Sequence, residues 1–211
     1  MKHKIMHYVP FLSAAFLDYL NIVVSLVIFP VLLADAQAHF LSEQMAQSYG
    51  TLFVGFLLTT YYAGQFFMAP IWGQISDAYG RRLTMLVTLA GTTVSLLLTA
   101  FSIHYAAFVL LFISRFCAGL CAANVAIAQS FMADVSGKNS ANKVSNMSMV
   151  EVAVACGFIA GGLVGGYFTT TSLSGSTNLA LPFLLLSGLT GLNFIAVVYQ
   201  LWRDHSPQKS L

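Results

Sequence analysis

Residues 64–82 read GQFFMAPIWGQISDAYGRR and join the end of one long apolar run to the start of the next. The last ten of them, residues 73–82, form a short charged segment, here termed the elbow. It has the pattern G-x-x-x-D-x-x-G-R-R, made by Gly73, Asp77, Gly80, Arg81 and Arg82. Glycine lets two helices turn tightly, and an aspartate beside arginines can form a charge cluster that holds one arrangement and releases in another. The elbow therefore predicts a tight helix connection, either as a conformational switch or only as a topology signal.

The composition is that of a polytopic membrane protein. Of the 211 residues 58% are hydrophobic and only 8% are charged, where a soluble globular protein usually has about 25% charged residues. The net charge of +2 gives no indication of a nucleic-acid partner. The three cysteines lie in apolar runs and have neither disulfide-framework nor metal-ligand spacing. No nucleophile with a base and no phosphate-binding loop is apparent, so the sequence does not predict an enzyme.

Six apolar runs are long enough to cross a bilayer. We predict transmembrane helices at residues 8–34, 51–72, 83–102, 106–133, 145–168 and 179–202, forming one domain over residues 1–211. The first run follows a basic start, as a cleaved signal peptide would. It is, however, about twice as long as a signal core and contains Asp18 and Asn21, which favours a retained helix.

The basic residues predict the topology. Eight of the nine fall in the two tails, the elbow and the loop between the fourth and fifth helices, which lie on one side of a six-helix protein: Lys2, Lys4, Arg81, Arg82, Lys138, Lys143, Arg203 and Lys209. The other three loops contain no lysine or arginine. By the positive-inside rule both termini are cytoplasmic, and the short loops suit a multi-pass protein of a bacterial inner (plasma) membrane.

Three ionisable residues lie inside the predicted helices: Asp18, Arg115 and Glu151. Each would cost on the order of 3 kcal/mol or more if it faced lipid at a helix centre, so each should face a partner or a water-filled cavity. One interpretation is that Asp18 or Glu151 pairs with Arg115 and locks the bundle. The other is that a carboxylate in a partly dry cavity binds a proton, for which Arg115 and a bound cationic or polar substrate compete. The two interpretations are compatible.

Several motifs resemble those of the major facilitator superfamily of transporters. In that family a motif similar to the elbow links the second and third helices on the cytoplasmic side. Residues 115–119 resemble its fourth-helix motif R-x-x-x-G, and the closing Ala133-Asp134 is similar to the tetracycline-resistance and multidrug proton antiporters. The fifth helix resembles the antiporter motif of this group, with glycine at 162 where that motif has proline. Its glycines, spaced to let another helix pack closely, are Gly157, Gly161, Gly162, Gly165 and Gly166.

The resemblance implies an all-α fold of six transmembrane helices, arranged as two inverted three-helix repeats that form half of a major facilitator fold. Members of the family have twelve helices, with the substrate cavity between two six-helix halves. A second six-helix half, from another copy or another chain, is therefore an expected partner beside the lipid bilayer. Inverted repeats would place Asp18 and Arg115 alike, each about nine residues into the first helix of its repeat.

The function implied by the family is transport by alternating access, here the export of a small amphipathic, drug-like molecule against inward proton flow. The proton gradient supplies the energy and no cofactor is expected. Asp18 is the first candidate for a proton or substrate-charge site, with Arg115 modulating it and Glu151 as a weaker candidate. The conformational gate would comprise the five elbow residues above together with Asp134. Candidate cavity-lining residues are Asn21, Tyr61, Tyr62, Gln65 and Asn124.

A second hypothesis is that the chain transports nothing. It would then be a truncated half of a transporter or a membrane-embedded interaction partner, and its length alone favours this. Proton-driven flux that depends on Asp18 would discriminate the two hypotheses.

Overall fold

The computed structural model describes residues 2–34, 43–137, 140–173 and 178–205, and these fold as helices joined by short turns. Apolar segments form helices in lipid because a helix pairs its own backbone groups. The helices are α1 (Lys2–Ala34), α2 (Glu43–Tyr79), α3 (Arg81–His104), α4 (Phe108–Leu120), α5 (Asn124–Val135), α6 (Ser140–Leu173) and α7 (Leu181–His205). Since α4 and α5 together make one span, the described residues contain six spans long and apolar enough to cross a membrane.

Helical structure extends into segments that the sequence assigned to loops. α2 continues through most of the elbow to Tyr79, so that only Gly80 separates it from α3. Gly80 has φ 94°, a left-handed conformation that glycine adopts without a steric penalty. α6 likewise covers residues 140–144 and 169–173, because a helix can extend its backbone hydrogen bonding past the apolar core. The sequence predicts an external loop over residues 35–50, but residues 43–50 belong to α2. Residues 35–42, Lys138 and Lys209 lie outside the described residues.

The helices form two triplets with matching contacts. The first triplet is α1 to α3, and the second is the span α4–α5 followed by α6 and α7. α1 packs most extensively on α6, and α2 packs in the same way on α4, while α3 packs on α7. If each helix is replaced by its counterpart in the other triplet, the α1–α6 contact becomes the α4–α2 contact and the reverse. The α3–α7 contact becomes itself. The fold is therefore two three-helix repeats, and they run in opposite directions because each contains an odd number of spans.

Two glycines make the equivalent crossings in the two repeats. A Cβ atom added at Gly64 on α2 would lie 2.7 Å from the carbonyl oxygen of Phe116 and 3.0 Å from the nitrogen of Leu120. A Cβ added at Gly157 on α6 would likewise meet the carbonyl of Phe16 and lie 3.3 Å from the nitrogen of Leu20. Only glycine allows backbones to approach this closely. The match also aligns α1 with α4, with Phe16 and Leu20 equivalent to Phe116 and Leu120.

This alignment changes how Asp18 and Arg115 relate. Asp18 is equivalent to Ala118, and Arg115 is equivalent to Ala15, so the two charged residues occupy different positions in their repeats. The expectation that inverted repeats place them alike is therefore wrong by about one helical turn. The sequence estimate depended on predicted helix starts, whereas the glycine crossings fix the register directly.

The described part of the bundle contains three clusters of buried apolar side chains, two large ones and a small one formed by Tyr61, Ala118 and Ala122. The cluster at the elbow end includes Phe11 and Phe131, whose rings stack with centroids 3.8 Å apart. The cluster at the opposite end includes Ile28, Leu96 and Phe183. Buried polar side chains lie between or beside the clusters on several helices: Asp18, Asn21, Ser25, Thr88, Thr92, Ser95, Thr99, Ser114, Arg115 and Asn124. Asp18, Arg115 and Asn124 therefore lie within the span, whereas the candidate gate residues of the elbow lie at its end.

Candidate functional site

A cavity of about 430 Å³, here termed the Asp18 cavity, lies between α1, α2 and α5. It extends from Asp18 and Tyr61 near the middle of the bundle to Ser76 and Arg81 at the elbow end. Its volume is within the range of small-molecule sites, about 300–1,000 Å³. Aromatic and amide side chains form much of its surface: Tyr19, Tyr61, Tyr62, Gln65, Trp72, Gln129 and Phe158. Such a surface suits a flat, amphipathic molecule.

Asp18 is the only carboxylate among the described residues that line this cavity, and only 8% of its surface is exposed. The Nδ2 of Asn124 donates a hydrogen bond to Asp18 Oδ1 at 2.9 Å. The hydroxyl of Thr88 donates in turn to Asn124 Oδ1 at 2.7 Å. This chain of bonds joins α1, α5 and α3 and fixes the Asn124 amide so that its NH₂ group faces the carboxylate.

The fourth span is interrupted beside Asp18. α4 ends at Leu120 and α5 begins at Asn124, so carbonyl groups near the break lose helical partners. Two side chains of α2 bond to these carbonyls: Trp72 Nε1 donates to the Leu120 oxygen at 2.6 Å, and Gln65 Nε2 donates to the Ala122 oxygen at 3.2 Å. The sequence predicted one continuous helix over 106–133, because the intervening Cys-Ala-Ala contains neither proline nor glycine. The break is thus a product of tertiary contacts.

Arg115 is buried away from the Asp18 cavity and is only 2% exposed. Its Nη1 donates to the hydroxyl of Ser25 at 3.0 Å, and its Nη2 donates to the hydroxyl of Thr99. The guanidinium carbon also lies 5.3 Å from the ring centroid of Phe29 and 5.7 Å from that of Phe183. Hydroxyl oxygens and aromatic faces thus replace water around this cation.

Pairing of Arg115 with Asp18 or Glu151, which the sequence allowed, does not occur in the structure. The ion pairs that Asp77 and Asp134 form are with Arg81, whereas the guanidinium of Arg115 bonds to neutral groups. Tyr61 lines both the Asp18 cavity and the small pocket that contains Arg115. Arg115 thus makes no direct bond to Asp18, and Tyr61 lies between their two pockets.

Glu151 is exposed on α6. Its Oε1 accepts a hydrogen bond of 2.7 Å from Gln129 Nε2, and Gln129 lines the Asp18 cavity. Glu151 thus contacts the cavity lining through the side-chain amide of Gln129, and it is not one of the buried polar residues.

The elbow forms a charge cluster centred on Arg81. Its Nη1 lies 2.6 Å from Asp77 Oδ1 and 2.9 Å from the hydroxyl of Ser76, and its Nε lies 3.0 Å from Asp134 Oδ2. The cluster thereby ties the ends of α2 and α5 to the start of α3. Arg82 follows at the start of α3 and is half-buried. A Cβ added at Gly73 would meet no atom within 4 Å, so close helix packing does not require glycine at 73.

The five glycines of α6 divide between two faces. Added Cβ atoms at Gly157, Gly161 and Gly165 would collide with α1, for example at 2.9 Å from the Leu20 oxygen for Gly161. Added Cβ atoms at Gly162 and Gly166 would meet nothing within 4 Å. Gly157, Gly161 and Gly165 are thus the glycines that pack against α1. Gly162 and Gly166, which are also four residues apart, lie on a face where an added side chain meets no neighbour.

Three of the five candidate lining residues, Tyr61, Tyr62 and Gln65, line the Asp18 cavity. Asn21 instead lines the small pocket at Arg115, and Asn124 lies behind Asp18 as its hydrogen-bond donor. The cavity is also lined by residues that were not among the candidates from the sequence: Trp72, Ser76, Gln129, Ser130 and Phe158. Helical spacing could have found two of these, since residues 65, 69, 72 and 76 follow one face of α2.

Comparison with known sequences identifies the family. The Major Facilitator Superfamily pattern matches residues 11–211. The chain belongs to this superfamily. Among its relatives, the class C tetracycline resistance protein of Escherichia coli is 28% identical over 94% of this chain and 45% of its own length. The class G protein of Vibrio anguillarum is 31% identical over 90% of this chain and 43% of its own length.

A solved structure has the same fold. The human organic anion transporter MFSD10 (TETRAN) superposes with a TM-score of 0.70 at 22% identity, over 90% of this chain and 46% of that one. This superfamily chain thus spans about half the length of the relatives that it matches. Its six spans form half of a major facilitator fold.

Proposed function

We propose that this chain forms one half of a proton-coupled exporter that moves a small amphipathic, drug-like molecule by alternating access. The Asp18 cavity is the observation that carries the proposal. It places one buried carboxylate among aromatic and amide side chains in the middle of a membrane-spanning bundle. Ionisable groups at this depth are costly and mark ion or substrate pathways in transporters. The proton gradient would supply the energy, and the proposal requires no cofactor.

The charges of the cavity favour a cationic or zwitterionic substrate. Among the described residues Asp18 has no ion-pair partner, whereas the cation in the lining, Arg81, is paired with two carboxylates. A ligand's positive group near Asp18 would therefore find an uncompensated negative charge. Tetracycline is the substrate class that the names of the bacterial relatives suggest. It carries both charged groups and a flat ring system, so it is the probe that we choose.

Coupling would follow from competition for Asp18. A proton and a cationic ligand both neutralise the carboxylate, so binding of one weakens binding of the other. Asn124 stabilises the ionised form by donating to it, and Arg115 adds a positive field from beyond Tyr61. In this scheme Glu151, which is exposed and bonded to Gln129, tunes the cavity wall and does not carry the transported proton.

The elbow would act as the conformational gate. In this arrangement Arg81 holds α2, α3 and α5 together through Asp77 and Asp134, and release of these exposed pairs would let the helix ends separate. The positive-inside rule orients the elbow and both termini toward the cytoplasm of a bacterial inner membrane. A second six-helix half, a copy of this chain or another chain, would cover the open side of the Asp18 cavity.

Tetracycline exchange in proteoliposomes tests the proposal. The chain is purified in mild detergent with any six-helix partner that it retains, and it is reconstituted with unlabelled tetracycline inside. We expect radiolabelled tetracycline to enter faster than into protein-free liposomes, because alternating access exchanges substrate even without a gradient. Entry at the protein-free rate would contradict the proposal, and it would favour the interpretation of the chain as a membrane-embedded interaction partner.

A further inference from the structure

The break between α4 and α5 has no local cause in its own sequence. Cys121, Ala122 and Ala123 are all compatible with a continuous helix, yet they lie outside both helices. Unpaired carbonyls within a membrane span cost several kcal/mol each, so a break persists only where other donors bond to them. The donors here are side chains of a neighbouring helix, Gln65 and Trp72 of α2.

α2 is held against the break at several points. A Cβ added at Gly64 would lie 3.0 Å from the nitrogen of Leu120, and one added at Gly119 would lie 3.2 Å from the nitrogen of Gln65. The backbones of α2 and α4 are therefore in direct contact at the level of the break. The buried indole of Trp72 extends from this contact to the Leu120 carbonyl. The two donors thus extend from a part of α2 whose backbone packs directly against α4.

The register of α5 depends on the break. Asn124 is the first residue of α5, and it is the residue that donates to Asp18. If the carbonyls lost their α2 donors, the backbone could satisfy them by reforming helical hydrogen bonds across residues 121–123. A continuous helix would turn the residues after the break about the helix axis, and the Asn124 amide would leave Asp18.

We propose that Gln65 and Trp72 are positioning residues, which hold the carbonyls of Ala122 and Leu120 so that Asn124 reaches the carboxylate of Asp18. The importance of Asp18 for transport rests on the proposed function. The positioning itself can be tested without transport. Other titratable side chains around Asp18 remain in place in every variant below: Tyr19 on α1, Tyr61 and Tyr62 on α2, and Arg115 and Cys121 on and just after α4.

Carbodiimide labelling of Asp18 as a function of pH is the test. Dicyclohexylcarbodiimide partitions into membranes and reacts with protonated carboxyl groups, and peptide mass spectrometry locates the adduct on Asp18. Asn124→Leu removes the donor, so the pH of half-labelling should rise by about one unit. Trp72→Phe keeps a ring and Gln65→Met keeps a similar shape, but each removes one donor to the break. We expect both to shift the midpoint in the same direction as Asn124→Leu.

A double variant and a matched control separate positioning from general destabilisation. Trp72→Phe combined with Asn124→Leu should shift the midpoint no further than Asn124→Leu alone. The reason is that both changes act on the midpoint through the same hydrogen bond, the one from Asn124 to Asp18. Trp202→Phe, at an indole that is 71% exposed, should leave the midpoint unchanged. The proposal is overturned if Asn124→Leu leaves the midpoint unchanged. It is also overturned if Trp72→Phe and Gln65→Met both label as wild type, or if the shifts in the double variant add.

Discussion

Asp18→Asn is expected to reduce the accumulation of tetracycline driven by a pH gradient to the level of protein-free liposomes. The substitution keeps the shape of the side chain and an oxygen that can accept from Asn124. It removes the carboxylate that we propose takes up and releases the proton. Exchange of tetracycline without a gradient should persist, because exchange requires no net movement of protons.

Glu151→Gln is the matched control for this prediction, since it also removes one carboxylate. Glu151 is exposed and outside the cavity lining, so gradient-driven accumulation should remain. The comparison uses proteoliposomes with equal amounts of folded protein. If accumulation survived in Asp18→Asn and disappeared in Glu151→Gln, the prediction would be wrong, and Glu151 on α6 would be the residue that couples proton movement to transport.

Gly157→Val is expected to prevent folding of the bundle. A Cβ atom at this position would collide with the carbonyl of Phe16 on α1, and backbone cannot move aside as a side-chain tip can. The helices would have to separate along the most extensive contact in the fold, α1 against α6. We expect destabilisation of about 3 kcal/mol or more, visible as loss of the monodisperse peak in size-exclusion chromatography of detergent-solubilised protein.

Gly162→Val provides the control on the same helix. It introduces the same side chain five residues further along α6, at a position where an added Cβ meets no atom within 4 Å. Its chromatographic peak should match that of wild type. If the Gly157 variant also matched wild type, the close crossing of α1 and α6 would be wrong.

Sequence patterns were sufficient for the class of fold. Long apolar runs, the elbow and the distribution of basic residues predicted six spans, and the motifs of the fourth and fifth helices indicated the family. These signals are local, because span length and loop charge depend on neighbouring residues in the chain. The glycines at 157, 161 and 165 were also recognisable, since spacing of four places them on one helix face.

The surroundings of the charged residues could not be predicted in the same way. Arg115 bonds to Ser25 and Thr99 and lies over aromatic rings, and many serines and threonines in the sequence could have served as well as these two. Residues 121–123, at the break, include no proline or glycine, and the donors that stabilise the break are Gln65 and Trp72 on another helix. Such features depend on which helix faces meet, and that information is distributed over the whole chain.

The most direct test of proton-coupled export records proton movement during tetracycline transport. Proteoliposomes contain a pH-sensitive dye and start without a pH gradient, and tetracycline is then added outside. Wild-type protein should make the lumen more alkaline as tetracycline enters, beyond the signal from Asp18→Asn and from protein-free liposomes, and nigericin should abolish the change. Tetracycline entry through wild-type protein with no lumenal pH change beyond these two controls would contradict proton coupling at Asp18.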